Sequence, residues 1–289
     1  MRAENLGFIG LGNMGGPMAG RLVEAGHRLV GYDVAGTEER LPLGATAAQS
    51  PEEVARGADI VFLSLPDGAA SRAVCGQVAC APGRRAHTVV DLSTVGIRAA
   101  RDCATLLREA DMTYVDAPVS GGVAGARSGS LAMMVGAPRE VFEALDPLLR
   151  VIARNRFRMG DAPGLGQAMK LLNNLVSATS VAVTSEAVVF GAHAGLDLAQ
   201  MVDVLNASSG RTTASTDKFP MSVIPRTYDF GFAGALAAKD LALYLESAEA
   251  AGVPHSLAAC VAGLWQRFNA AHPKADFTYI HRYFEEGGA

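Results

Sequence analysis

The sequence predicts an α/β half, an all-α half and one long helix joining them, and three observations predict it. Short apolar runs alternate with helical patterns from Leu6 to Met159. After Gly164 the apolar spacing is helical throughout. Between the two halves, residues 164–196 are helix formers and small residues up to Gly191 and Gly195, with Met169, Leu172, Val176, Ala182 and Val183 at helical spacing. No charge lies between Lys170 and Glu186, so most of the circumference of this helix is expected to be buried. At about 1.5 Å of rise per residue it approaches roughly 45 Å. Lys170 is its anomaly: with Asn174 and Ser177 it makes a polar stripe on an apolar helix, unless it simply snorkels to solvent near the helix start.

Residues 6–10, LGFIG, read as the first strand, which stops at Gly10-Leu11-Gly12-Asn13-Met14-Gly15. Met14, Met18, Leu22 and Val23 then recur at helical spacing, with Pro17 in the first turn, where its missing N–H does no harm. Strand, glycine turn and helix are the context in which G-x-G-x-x-G binds a dinucleotide. Glycines let backbone approach the pyrophosphate, whose charge meets the free N–H groups and dipole of the helix N-terminus. The strand over 27–32 ends in Asp33, 23 positions beyond Gly10. A carboxylate there accepts from both ribose hydroxyls and repels a 2′-phosphate, so NAD is expected over NADP.

The alternation continues with a helix over 52–57 opened by Ser50-Pro51, and an apolar strand over 59–65 of the kind buried on both faces. Pro66-Asp67 ends that strand at the carboxyl edge, where ligands bind in such sheets. A helix over 71–80, a strand over 88–91, Ser93-Thr94 at the same edge, a helix over 97–110 and a strand over 113–116 complete a doubly wound sheet. Residues 116–136 are glycine-rich. Ser120-Gly121-Gly122 reads as a turn whose N–H groups suit a carboxylate, or else as part of a flexible hairpin with no ligand. A strand over 130–135, a helix over 141–149 and a strand over 154–159 lead to the break at Pro163-Gly164. The expected domains are therefore 1–163, a Rossmann-type dinucleotide-binding domain, and 164–289, all-helical.

In the second half, a helix over 198–206 precedes Ser208-Ser209-Gly210-Arg211 and a long loop through Pro220, Pro225 and Phe232. Loops of that length usually cover something. A helix over 236–251 carries Lys239-Asp240; on spacing alone Asp240 is a helix-start acid and Lys239 an exposed cation. Helices over 256–271 and 276–284 finish the chain.

Composition bounds the function. The 289 residues are 49% hydrophobic and 19% charged, with a net charge of −4, which argues against nucleic-acid and anionic-membrane partners. Cys75, Cys80, Cys103 and Cys260 form no CxxC pair and no zinc spacing, so no metal is expected and free thiols in a reducing cytoplasm are. No signal-peptide pattern opens the sequence. Asn173, Asn174, Ser177 and Thr179 are expected to disqualify the long helix as a membrane span.

With these residues in view, the chain resembles the β-hydroxyacid dehydrogenases, 3-hydroxyisobutyrate dehydrogenases in particular. The resemblance rests on GFIGLGNMGGPMAGRL at 7–22, DLSTV at 91–95, DAPVSGGVAGARSGSLAMMVG at 116–136, GLGQAMKLLNN at 164–174, SSGR at 208–211 and KDL at 239–241, in the family's order. It implies a cofactor cleft between two domains. Gly10, Leu11, Gly12, Asn13, Met14 and Gly15 would hold the dinucleotide, with Leu65, Pro66, Thr94 and Lys239 as further contacts. Ser120, Gly121, Gly122 and Asn174 would hold the substrate, and Lys170 would be the general acid/base, its neutral form favoured by burial and by the nicotinamide charge. A homodimer or homotetramer is implied. Two positions depart from the pattern: Gly96-Ile97 follow Val95 where a proline is usual, and Arg21 stands where asparagine is common. Retention of Lys170 separates the chain from the related imine reductases. Substrates in view are a short 3-hydroxy acid or its semialdehyde, with Phe219 and Phe232 as aromatic pocket candidates. The alternatives are an NADPH-dependent reductase of tartronate or succinic semialdehyde and a non-catalytic dinucleotide-binding scaffold.

Overall fold

The computed structural model describes residues 4–288 as two compact units, divided between Lys170 and Leu171. The first unit opens with β1 (Asn5–Ile9), α1 (Gly15–Glu24), β2 (Arg28–Tyr32), β3 (Thr46–Ala47), α2 (Pro51–Gly57) and β4 (Ile60–Leu63). It continues with α3 (Gly68–Cys80), β5 (Thr88–Asp91), α4 (Ile97–Glu109) and β6 (Thr113–Asp116), then β7 (Val119–Ser120), α5 (Gly122–Ser128), β8 (Ala132–Gly136), α6 (Arg139–Ile152) and β9 (Asn155–Gly160). Strand order is β3-β2-β1-β4-β5-β6-β8-β7, with β9 paired to β8. The first six strands are parallel; β8 runs antiparallel to β6 and β7.

Both faces of this sheet are buried, and side chains alternate between them along each strand. Leu6 and Phe8, Ile60 and Phe62, Val90 and Val115 enter one core together with Met18, Leu22, Leu145 and Leu149. Ile9, Val61, Leu63, Val89 and Tyr114 enter the other with Val54, Val78 and Leu107. The chain order reverses beside β1, so the carboxyl edge there is the ligand crevice of an open α/β sheet.

The glycine-rich segment is not a flexible hairpin. Residues 122–128 form α5, because Val123, Ala124 and Ala126 propagate a helix between the glycines and Gly129 closes it in the left-handed conformation, donating its N–H to Gly125 O. Arg21 packs α1 against α6, with Nε 3.3 Å from Val151 O.

α7 (Leu165–His193) runs from the first unit into the second. Its first six residues belong to the first unit, which ends seven residues past the boundary expected between 163 and 164. Its burial corrects the expectation. Leu171, Ala178, Val181, Ala182 and Val188 are buried, whereas Leu172 is 49% exposed, Val176 58%, Val183 56% and Phe190 77%. At about 100° per residue the exposed four fall within about 40° of one line, so they form a single stripe. By length and composition α7 also qualifies as a membrane span, with a mean hydropathy of 1.5, because its Asn, Ser and Thr residues are outweighed by Ala, Val and Leu.

The second unit adds α8 (Leu198–Ala207), a π-helix (Ala214–Val223), α9 (Gly234–Ala250), α10 (Ser256–Ala271), a 3₁₀ turn (Phe277–Tyr279) and α11 (Ile280–Glu285). Its core gathers Val181, Phe219, Leu241, Trp265, Phe268, Phe277 and Ile280. The long loop expected after Gly210 contains the π-helix. Pro220 has no N–H to contribute, and the wider i→i+5 spacing absorbs it, as in Ile224 N–H to Phe219 O at 2.8 Å.

Candidate active site

The glycine turn after β1 is shaped by contacts that exclude side chains. A Cβ at Gly10 would lie 2.2 Å from Ser64 O, and one at Gly15 1.9 Å from Gly10 O, so the strand, turn and helix close on each other only with glycine at both positions. A Cβ at Gly12 would meet nothing within 4 Å. Gly12 is therefore not required by packing, and its bare backbone faces open space. Met14, at the N-cap of α1, offers no side-chain cap; Gly16 N–H donates to Gly12 O at 2.9 Å and Pro17 has no N–H, which leaves the Gly15 N–H to meet an anion. Leu11, Asn13 and Met14 complete the turn.

Asp33, just beyond β2, is tied to the same turn. Leu11 N–H donates to Oδ2 at 2.7 Å and Ala35 N–H to Oδ1 at 2.8 Å. Each carboxylate oxygen keeps acceptor capacity for a ribose hydroxyl. The Asp33 N–H meets the Thr37 hydroxyl at 3.0 Å.

Further along the carboxyl edge, the loops after β4, β5 and β6 form one hydrogen-bonded network. Leu65 N–H donates to Ser93 Oγ at 2.8 Å, and Ser93 N–H to Asp91 Oδ1 at 3.0 Å. Tyr114 OH donates to Asp91 Oδ2 at 3.2 Å. Burial pushes the Asp91 carboxyl up, against those hydrogen bonds, and holds the Tyr114 phenol well above its usual range. Asp116, in register with Asp91, receives Gly164 N–H and Gln167 N–H, both at 2.9 Å, and so caps the start of α7 from β6. Burial raises its carboxyl to about 6.

Gln167 occupies the first turn of α7 and is fully buried. Its Oε1 accepts from Val95 N–H at 3.0 Å and Gly96 N–H at 3.2 Å, and its Nε2 donates to Ser93 O at 3.0 Å. Thr94 lies inside this grip. Lys170, one turn further along α7, is 7% exposed, so it does not snorkel into solvent. Ser120 ends β7 and Gly121 and Gly122 open α5, at the antiparallel side of the sheet.

The second unit holds Asn174 and Lys239. Asn174 Nδ2 donates to Asp240 Oδ2 at 2.6 Å, and its Oδ1 accepts from Asn173 Nδ2 at 3.0 Å. Lys239 Nζ is 3.4 Å from Asp240 Oδ1. Asp240 is 4% exposed and lies in the second turn of α9, so it is not a helix-start acid. It is the group that orients Asn174 and pairs Lys239. Asp91, Asp116 and Gln167 were likewise not legible as site residues; acids ending two adjacent strands and a polar residue one turn before Lys170 were the available signals. Phe219 is buried in the core and edge-on to His281, which removes it from any pocket; Phe232 packs on Phe277.

A doubly wound sheet with an uncapped glycine turn at its crossover, and an acid closing the next strand, defines a dinucleotide-binding protein. A family model described as the NAD binding domain of 6-phosphogluconate dehydrogenase matches residues 5–160, and one described as NAD-binding of NADP-dependent 3-hydroxyisobutyrate dehydrogenase matches residues 164–284. The 3-hydroxyisobutyrate dehydrogenase of Pseudomonas aeruginosa is 36% identical, covering 97% of this chain and 98% of its own. The 2-(hydroxymethyl)glutarate dehydrogenase of Eubacterium barkeri is 37% identical, covering 92% and 89%. The structure of Mycobacterium tuberculosis 3-hydroxyisobutyrate dehydrogenase with L-serine superposes with a TM-score of 0.90 at 32% identity, covering 98% of this chain and 99% of that one. The chain belongs to the β-hydroxyacid dehydrogenase family. It is an NAD(P)-dependent oxidoreductase acting on a CH–OH group.

Proposed function

We propose that the chain oxidises a short 3-hydroxy acid of the 3-hydroxyisobutyrate type, or reduces the corresponding semialdehyde, with Lys170 as general acid/base and NAD preferred over NADP. The observation that carries the reading is Lys170 itself: a lysine 7% exposed, on a helical turn that Asp116 and Gln167 pin to the ligand edge of the sheet. A bound nicotinamide dinucleotide supplies the hydride acceptor. Gly10, Leu11, Gly12, Asn13, Met14 and Gly15 hold its pyrophosphate, Asp33 its ribose, and Leu65, Pro66, Thr94 and Lys239 its remaining length. Lys170 takes the hydroxyl proton during oxidation and returns it during reduction. Ser120, Gly121 and Gly122 receive the substrate carboxylate. Asn174 keeps one amide proton for the substrate hydroxyl, and Asp240 holds it in that orientation.

In this reading residues 1–163 bind the cofactor and 164–289 serve the substrate and assembly, in a cytoplasmic homodimer or homotetramer. The exposed apolar stripe of α7 supports self-association.

The test is absorbance at 340 nm with NAD and NADP, each paired with 3-hydroxyisobutyrate, L-serine, 3-hydroxypropionate, 4-hydroxybutyrate, glycerate and 2-(hydroxymethyl)glutarate. One acid preferred with NAD is expected, and Lys170→Ala should lower kcat by about a thousandfold or more with cofactor affinity nearly unchanged. Turnover only in the semialdehyde direction with NADPH would favour the reductase, and cofactor binding without any turnover would favour the scaffold.

A further inference from the structure

We propose that Gln167 is a positioning residue for the proton-transfer step: its buried amide locks the turn that carries Thr94 to the helical turn that carries Lys170. The proposal rests on the reading of Lys170 and Thr94 above and adds a residue to it.

The argument begins with what the loop after β5 lacks. Residues 93–96 leave the sheet edge without regular secondary structure, so their backbone groups need partners from elsewhere. One side chain supplies three of them. Gln167 Oε1 receives the consecutive N–H groups of Val95 and Gly96, and Gln167 Nε2 donates to Ser93 O, so the backbone is held on both sides of Thr94. The Ser93 N–H and hydroxyl are engaged by Asp91 and by Leu65 N–H, which completes the clamp from the sheet side.

The other end of the clamp is equally constrained. The Gln167 N–H donates to Asp116 Oδ2, and Gly164 N–H to Oδ1 of the same carboxylate. Gln167 and Lys170 are three residues apart on one helix, separated by about 4.5 Å along the axis and about 60° around it. The first turn of α7 therefore cannot move relative to the Ser93–Gly96 turn without breaking these bonds. Misplacement of a reacting group by about 1 Å is sufficient to lower a rate by about a hundredfold.

The chemistry of the clamp selects the amide. One terminal group must accept two N–H donors and donate to one carbonyl, which a carboxamide does and a carboxylate does not. A carboxylic acid does so only while protonated. Methionine fills the same length and does neither.

The test uses the full chain with Gln167→Met and Gln167→Glu. For Gln167→Met, kcat should fall about a hundredfold, cofactor affinity by calorimetry should fall by no more than about tenfold through the loosened Thr94 contact, and amide hydrogen exchange should accelerate at Val95 and Gly96 while the β1–β6 amides stay protected. For Gln167→Glu, kcat should recover toward acid pH and fall as the side chain ionises, a limb absent from the parent's profile. A Gln167→Met protein with kcat within about threefold of the parent, or one losing cofactor binding in step with kcat, overturns the proposal, as does a Gln167→Glu profile that superposes on the parent's. Should Gln167→Met fail to fold, the nearly isosteric Gln167→Glu profile decides. Absence of turnover in the parent would sink the proposed reaction alone; exchange at Val95 and Gly96 would still decide the clamp, unchanged protection overturning it.

Discussion

Asp33 performs two tasks that one substitution separates. Its oxygens fasten Leu11 N–H and Ala35 N–H, and their remaining lone pairs are the ribose acceptors in the proposed site. Asp33→Ala is therefore expected to cost about 1 kcal/mol of stability, read as a lower midpoint of thermal unfolding, because the Leu11 N–H loses its acceptor. It should also lower the ratio of kcat/KM for NAD to that for NADP by about tenfold or more, since the charge that repels a 2′-phosphate is gone. A stability loss with an unchanged ratio would leave Asp33 as a turn anchor only. At this scale Lys170 stood out only as a charge on an apolar helix, whereas the glycine turn and the acid ending β2 were legible because each follows local rules of spacing. Asp240 was not, because its burial depends on α9 beginning at Gly234 and on Asn174, 66 residues away.

Among the elements, the start of α7 is unusual in being capped by a carboxylate from β6. The Asp116 carboxyl titrates near 6 in the fold against an ordinary value of 3.8, so between those values the folded state holds more proton than the unfolded chain. Stability contributed by this group consequently falls as pH rises from about 4 to about 6, and the cost of ionisation is complete above that window, at up to about 3 kcal/mol. Unfolding midpoints followed from pH 7 to pH 4.5 should climb more in the parent than in Asp116→Asn; parallel curves would show that burial of this carboxyl carries no such linkage. The elements that spacing missed have a common cause. α5 and the π-helix are built from glycine-rich and proline-containing segments, where propensity speaks for loops and only closing hydrogen bonds decide otherwise.

For the whole molecule, the stripe of Leu172, Val176, Val183 and Phe190 is the feature a protomer leaves unexplained. In the proposed oligomer it is covered by a second copy. Val183→Asp and Phe190→Asp together are expected to convert the assembly to protomers by light scattering, with far-UV circular dichroism unchanged; a protein already monomeric, or an assembly untouched by both charges, would assign the stripe another role. The sequence by itself determined the alternation of strands and helices in the first unit apart from β3, β7 and α5, the dinucleotide turn and the helical character of the second unit, because each is encoded by periodicity over a few residues. It also singled out Lys170 by the absence of other charge along α7. Only the tertiary structure decided which face of α7 is buried, that Phe219 is core, and that Asp91, Asp116, Gln167 and Asp240 are buried hydrogen-bonding groups. The physical reason is that a polar side chain's role is set by the groups left unpaired around it, and for Asp116, Gln167 and Asp240 those come from segments 48 to 74 residues distant in the chain.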